Sequence, residues 1–209
     1  MYLIQGAIMK LRIKHLTKAE KYLKNLPIPP QDPNDLGNVG RHIENLIQSC
    51  GYDLDRQDNV DIRKIGVEIK TRNIWALSAH TIGKMRMDDI ISTPWDESPV
   101  KEKIQCQFRV EYDDKLNIIT EAKIWNFDIH EIQYSLQTSY EQSRKMFANS
   151  KFFPDTYIRA NQLGHLSDAY FENTTNTNFW DFRVSDNVMR RFKKIVLGKE
   201  QYNRLFDHG

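Results

Sequence analysis

Cysteine is nearly missing. Among 209 residues only Cys50 and Cys106 occur. That is too few for a disulfide framework, and their spacing is not that of a C-x-x-C redox or zinc site. A single bridge is the most the pair allows, and the expected setting is a reducing cytoplasm. No long apolar run is present, so no membrane span is expected. Met1 to Met9 are mildly apolar but contain Gln5, with no basic segment before them and no small-residue cleavage site after, which makes a poor secretion signal. An excess of one charge sign is also lacking: 30 Lys plus Arg face 28 Asp plus Glu, for a net charge of +2. This excludes a simple polybasic nucleic-acid binder, but not a positive surface offset by acids elsewhere. There is no Gly-x-x-x-x-Gly-Lys-Ser/Thr loop for ATP, and no Ser/His/Asp or Cys/His motif. His42, His80 and His165 are scattered without HNH or H-x-x-x-H zinc spacing, so each reads as a structural or surface histidine.

What is present suffices for a core: 40% hydrophobic and 11% aromatic residues. Lys10, Arg12, Lys14, Lys18, Lys21 and Lys24 alternate with Ile13, Leu16, Leu23 and Leu26 in a basic amphipathic helix, a solvated face or a phosphate-contacting one. Pro27, Pro29, Pro30 and Pro33 then enforce an extended connector. A second helix is predicted from Asp35 to Cys50, on the stripe Leu36, Val39, Ile43, Leu46, Ile47 and Cys50, with Gly51 ending it. Strands are predicted over Val60 to Thr71 and Ile74 to Ala79, and a loop over 83–100. Cys106, Phe108, Val110 and Tyr112 alternate with Gln105, Gln107, Arg109 and Glu111 as in a half-buried strand, which turns at Asp113-Asp114-Lys115 into a partner, Ile118 to Trp125. A long helix from Asp128 to Asn149, a strand or loop at Thr156 to Ala160, a polar loop at Asn173 to Asn178, a strand at Trp180 to Val184 and a closing helix capped by Ser185 complete the chain. The expectation is one α/β domain, which can be lobed. Residues 1–33 form its basic helix and connector, 34–150 a catalytic core, and 151–209 a recognition segment with the closing helix.

The chemistry concentrates in Asp61-Ile-Arg-Lys-Ile-Gly-Val-Glu68-Ile-Lys70. On an extended strand Glu68 and Lys70 share one face, about 6.6 Å apart, and Val67 and Ile69 take the other. Two carboxylates and a lysine suit metal-assisted attack of water on a phosphodiester. The acids hold a hard cation through oxygen, the cation acidifies a bound water, and the ammonium orients that water or stabilises the developing charge. An exposed face of alternating charge would carry the same pattern. Gly66 permits close backbone approach just before the pair. Glu44, on the preceding helix in Gly40-Arg-His-Ile-Glu44, lies near the edge of the apolar stripe.

The pattern G-x-x-x-E on a helix followed by D-x6-E-x-K resembles the PD-(D/E)xK nuclease superfamily. Ile65-Gly-Val-Glu-Ile-Lys-Thr71 is similar to the MutH group, which holds a mismatch-repair nicking endonuclease and related type II restriction enzymes. The resemblance covers roughly residues 40–112 and is fainter toward the C-terminus. It implies a restriction-endonuclease-like fold, a mixed central sheet flanked by helices. It further implies Asp61 and Glu68 as ligands of Mg²⁺ (with Mn²⁺ able to substitute), Glu44 as an assisting ligand and Lys70 at the attacking water. A second lysine is expected at the start of the strand after the catalytic hairpin, which Lys103 fits and Lys101 contests.

Reading a DNA sequence needs base-edge donors besides phosphate contacts. Arg159, Asn161, Gln162, Arg183 and Asn187 have that chemistry, Thr174, Thr175 and Asn176 can line a groove-facing loop, and Lys84 and Arg86 lie in another candidate loop. Any of these also fits an ordinary polar loop or helix cap. The expected activity is that of a type II restriction endonuclease cutting double-stranded DNA to leave 5′-phosphate ends. A homodimer suits a palindromic site, and a cognate DNA methyltransferase would share its system. The alternatives are a MutH-like nicking enzyme recruited by repair partners, or a DNA-binding module that has lost catalysis.

Overall fold

The alternation at 106–112 forms a strand, and the residues around it explain the first half of the fold. In the computed structural model, residues 16–35, 37–54, 61–62, 65–76, 79–149, 168–173 and 178–198 are described. The chain is α/β, and it divides into two compact units: Met1–Ala76 with Cys106–Asn126, and Leu77–Gln105 with Phe127–Gly209. The described strands form two three-stranded sheets, one in each unit, rather than the single central sheet of the expectation.

In the first unit, residues 16–23 are helical (α1), and α2 spans Asn38–Ser49. The strands are β1 (Glu68–Asn73), β3 (Cys106–Asp113) and β4 (Ile118–Asn126), in the order β1-β3-β4. β1 and β3 are parallel, and β3 and β4 form the expected antiparallel hairpin. Leu16, Ala19 and Leu23 of α1 and Val39, Ile43 and Ile47 of α2 join Val67, Ile69, Phe108, Val110, Ala122 and Ile124 in one buried cluster. Both helices therefore cover the same sheet face, each enclosed aliphatic side chain contributing about 1.5–3 kcal/mol. The helix α2 stops as expected: Gly51 has φ +92° and donates to Gln48 O at 2.8 Å. After a turn in which Asn25 takes φ 67°, the start of the proline-rich connector runs beside β4: Pro27 bridges Ile118, and Ile28 N–H donates to Asn117 O at 2.9 Å.

Two strand expectations need correction. The run Val60 to Thr71 is not one strand: Ile62 bridges Val67 across a turn containing Gly66, at φ 60°, and the regular strand starts only at Glu68. The run Ile74 to Ala79 begins as a turn, because the Asn73 side chain accepts from Trp75 N–H and the Asn73 carbonyl accepts from Ala76 N–H, both at 3.1 Å. Asn competes for local backbone donors in this way, and the turn outweighs the β propensity of Ile74 and Trp75. Residues 77–78 lie outside the described set.

The second unit holds β2 (His80–Arg86), β5 (Ala169–Glu172) and β6 (Phe179–Val184) in the antiparallel order β2-β6-β5. Its helices are α3 (Met87–Ser92), α4 (Pro99–Gln105), α5 (His130–Asn149) and α6 (Asp186–Leu197). Aromatic packing dominates: Phe171 and Phe182 lie 4.9 Å apart between ring centroids, Tyr140 sits 5.4 Å from Trp95, and Phe147 meets Trp180 edge-on at 4.9 Å. The buried Tyr140 hydroxyl donates to Thr93 O at 2.9 Å. The loop expected at 83–100 is instead the end of β2, α3, a 3-10 turn at Trp95–Glu97 and α4. Its apparent loop signals are helix-start signals. Asp88 and Asp89 fill the first turn of α3, Pro94 precedes the 3-10 turn and Pro99 opens α4. Gly83 packs closely under α4: a Cβ there would stand 3.2 Å from Val100 Cγ2, tighter than an ordinary van der Waals contact. The closing helix has its expected cap, Ser185 Oγ accepting from Val188 N–H at 3.4 Å.

Candidate active site

β1 lies at the edge of its sheet, so alternate N–H groups of the strand point away from β3. Asp61 fills that gap: its Oδ2 accepts from Ile69 N–H at 2.7 Å. Because the Ile69 nitrogen is one peptide bond from the Glu68 Cα, the Asp61 carboxylate stands at the root of the Glu68 side chain. Glu68 in turn accepts from Lys70 Nζ at 2.6 Å. The Glu68 side chain is only 5% exposed and that of Lys70 25%, so the pair is largely shielded from solvent. The turn containing Gly66 and the Ile62–Val67 bridge brings Asp61 back along the strand. Three of the residues singled out from the sequence, Asp61, Glu68 and Lys70, are thus drawn together within one unit.

Glu44 is placed differently. A Cβ on Gly40 would come 3.5 Å from Thr71 Oγ1, so α2 approaches β1 on the face that carries Ile69 and Thr71. Glu44, half-buried one turn after Gly40, belongs to a helix on the opposite side of the sheet from Glu68 and Lys70. Among the described residues no group of three or more His, Cys, Asp or Glu side chains could hold a metal ion. Asp61 and Glu68 remain as a two-carboxylate set. Mg²⁺ is commonly held by one or two carboxylates, with water and substrate oxygens completing its shell, so this donor set fits it.

Lys103 does not open the strand after the hairpin. It stands in the last turn of α4, before β3 begins, with its Cδ 3.6 Å from a Cβ placed on Gly83. A helix fits there because Pro99 starts it and Val100 and Ile104 turn inward at helical spacing. Lys101, the competing lysine, lies on the same helix and pairs with Asp96 at 2.6 Å.

Among the proposed DNA readers, Arg159, Asn161, Gln162, Thr174, Thr175 and Asn176 lie outside the described residues. Arg183 is on β6, where its guanidinium pairs with Glu172 of β5 and donates to Ala79 O at 3.0 Å. Asn187 is exposed in the first turn of α6. His80 is buried and 3.1 Å from Asp186, the satisfied structural histidine expected.

Sequence reasoning missed Gln107 and Arg109. Their alternation with Phe108 and Val110 suggested a solvent-facing side, yet Gln107 is fully buried and Arg109 is 4% exposed. The parallel register places Gln107 opposite Glu68 and Arg109 opposite Lys70. Arg109 donates to Gln107 Oε1 at 2.9 Å and lies 4.8 Å from the centre of the Trp125 ring. Burial lowers its pKa to about 10, against the opposing pull of Glu111 and with a further lowering from Arg72, so it is still protonated at neutral pH. The polar alternation was readable from the sequence. The strand it would lie beside was not.

No protein-family model matches the chain, and no curated protein matches its sequence. Among the described residues no helix is long and apolar enough to cross a membrane.

Proposed function

We propose that the chain is a Mg²⁺-dependent, sequence-specific endonuclease of double-stranded DNA, of type II restriction character, with a restriction-endonuclease-like catalytic core akin to the MutH group. The observation that carries the reading is the convergence of Asp61 on the root of Glu68, while Glu68 and Lys70 share one strand face. Asp61 and Glu68 would hold Mg²⁺, or Mn²⁺ in its place. When bound, the cation supplies charge neutralisation at the phosphate and a more acidic water. Lys70 then has two roles. In the free protein it holds the Glu68 carboxylate in place. With substrate present its ammonium is placed to orient the attacking water or to stabilise charge on the phosphate oxygens. Because Glu68 is largely enclosed, its interaction with a cation is screened less than on an open surface.

Arg159, Asn161, Arg183 and Asn187 are the proposed sequence readers. A homodimer on a palindromic site and a cognate methyltransferase complete the proposal. Run-off sequencing of genomic DNA treated with the protein and Mg²⁺ tests it. The expected result is recurrent breaks at one short sequence, with 5′-phosphate and 3′-hydroxyl ends, absent for Lys70→Ala. Breaks confined to one strand would point to the nicking alternative, and random breaks unaffected by Lys70→Ala would remove the proposal.

A further inference from the structure

Gln107 is fully enclosed on the sheet face that carries Glu68 and Lys70, and the chemistry proposed above gives it no task. A buried amide has to find partners at both its oxygen and its nitrogen. The oxygen is accounted for. Arg109, next along β3 on the same face, donates from Nη1 to Gln107 Oε1 at 2.9 Å. A guanidinium has only donors, so this contact fixes which way the amide is turned. Arg109 is itself 4% exposed and held 4.8 Å from the centre of the Trp125 ring, so the oxygen of Gln107 stays on that side. The amide N–H donors are left for the other neighbours.

Within the sheet those neighbours are few. The register sets Glu68 of β1 directly across on one side and Trp125 of β4 on the other, with Lys70 and Lys123 diagonal. Indole and ammonium groups are donors only, which leaves the Glu68 carboxylate as the acceptor among these side chains. Glu68 has the matching need. It is 4% exposed, Lys70 Nζ reaches its Oε1 at 2.6 Å, and an enclosed carboxylate is stable only when its other lone pairs are met as well. We infer that Gln107 is a positioning residue for Glu68: its amide, turned by Arg109, donates to the Glu68 carboxylate and holds it where it can receive a divalent cation. The part played by the cation rests on the nuclease reading; the contact between Gln107 and Glu68 does not. Hydrogen bonds to a ligating carboxylate fix its orientation, and losing one typically lowers metal affinity about 10–100-fold.

Two readouts test the assignment, the first without metal. In nuclear magnetic resonance spectra of the isotope-labelled free protein, the side-chain amide signals of Gln107 should move on Glu68→Gln. They should stay in place on Glu121→Gln, two pleats away on β4. The second readout is Mn²⁺ affinity, measured by electron paramagnetic resonance. Gln107→Met, similar in shape but without the amide, should weaken binding about tenfold. That variant takes an acceptor from the buried Arg109, so it is also combined with Arg109→Met. Replacing both partners by apolar groups of similar shape is nearly neutral for stability, and the double variant should unfold close to the wild-type urea midpoint while still losing the tenfold. Removal of the Arg109 charge by itself favours a bound cation, so a loss of affinity traces to the amide. Wild-type Mn²⁺ affinity in the folded double variant, or Gln107 signals indifferent to Glu68→Gln, overturns the assignment even where the wild type cuts DNA. Should neither Met variant fold, the Gln107 signals decide alone. A protein that neither binds Mn²⁺ nor cuts DNA, but whose Gln107 signals follow Glu68, keeps the contact and loses the nuclease reading instead.

Discussion

Asp61 is asked to do two things, and the two can be separated. It accepts from the edge-strand N–H of Ile69 at 2.7 Å, and it is the proposed partner of Glu68 in holding a cation. Asp61→Ala removes both roles, whereas Asp61→Asn keeps an acceptor for the N–H and loses the charge. A hydrogen bond to a charged group contributes about 1.5–3 kcal/mol, and partial exposure puts this one toward the lower end, about 1–2 kcal/mol. For a chain of this length that corresponds to a fall in Tm of about 3–6 °C for Asp61→Ala. Asp61→Asn, with a neutral acceptor still in place, should cost roughly half as much or less. Urea unfolding followed by circular dichroism gives the stability of each variant, and Mg²⁺-dependent plasmid cleavage gives the activity. The expected outcome is a split: unequal losses of stability, but cleavage abolished in both. Equal destabilisation of the two variants would refute the hydrogen-bond account. Cleavage by Asp61→Asn within a few-fold of wild type would refute its role as a ligand.

Three further outcomes follow from the geometry. Phe182, fully buried between Phe171, Tyr140 and Trp95, should cost about 3–5 kcal/mol on truncation to Ala, read by urea unfolding from tryptophan fluorescence. Ser185→Ala should cost about 0.5–1 kcal/mol through loss of the cap to Val188 N–H, with the same unfolding assay and no change in native circular dichroism beyond the end of α6. The indole N–H of Trp75, donating at 3.0 Å, and the backbone N–H groups of Leu116 and Lys115 hold the Asp113 carboxyl below the usual range. A depressed carboxyl contributes stability that is present above its unfolded pKa, near 3.9, and is lost as pH falls through its lower folded value. The stability gap between wild type and Asp113→Asn should therefore be constant from pH 5 to 8 and close at acid pH; a gap that widens on acidification would contradict this.

Much of the local structure was legible. The stripe Val39, Ile43, Ile47 with its terminating Gly51, the hairpin of β3 and β4, the long helix at His130–Asn149 and the Ser185 cap each have a strong local cause, in periodicity or in turn chemistry. What could not be read depends on neighbours distant in the chain. β5 is four residues of ordinary composition that become a strand because Ser139 of α5 accepts from Ala169 N–H at 3.2 Å and β6 pairs beside it. The segment 83–100 was misread because proline and acidic residues punctuate loops and open helices alike. The site divides the same way. Asp61, Glu68 and Lys70 lie within ten residues of one another, so local geometry joins them. Gln107 and Arg109 arrive through a parallel pairing whose register no local pattern reveals.

The most direct measurement is conversion of supercoiled plasmid to linear or nicked DNA by the purified protein with Mg²⁺, with EDTA, and by Glu68→Gln. The account predicts metal-dependent conversion by the wild type, none in EDTA, and none by Glu68→Gln although that variant still folds. Wild type and Glu68→Gln that behave alike under Mg²⁺ and Mn²⁺ would contradict it.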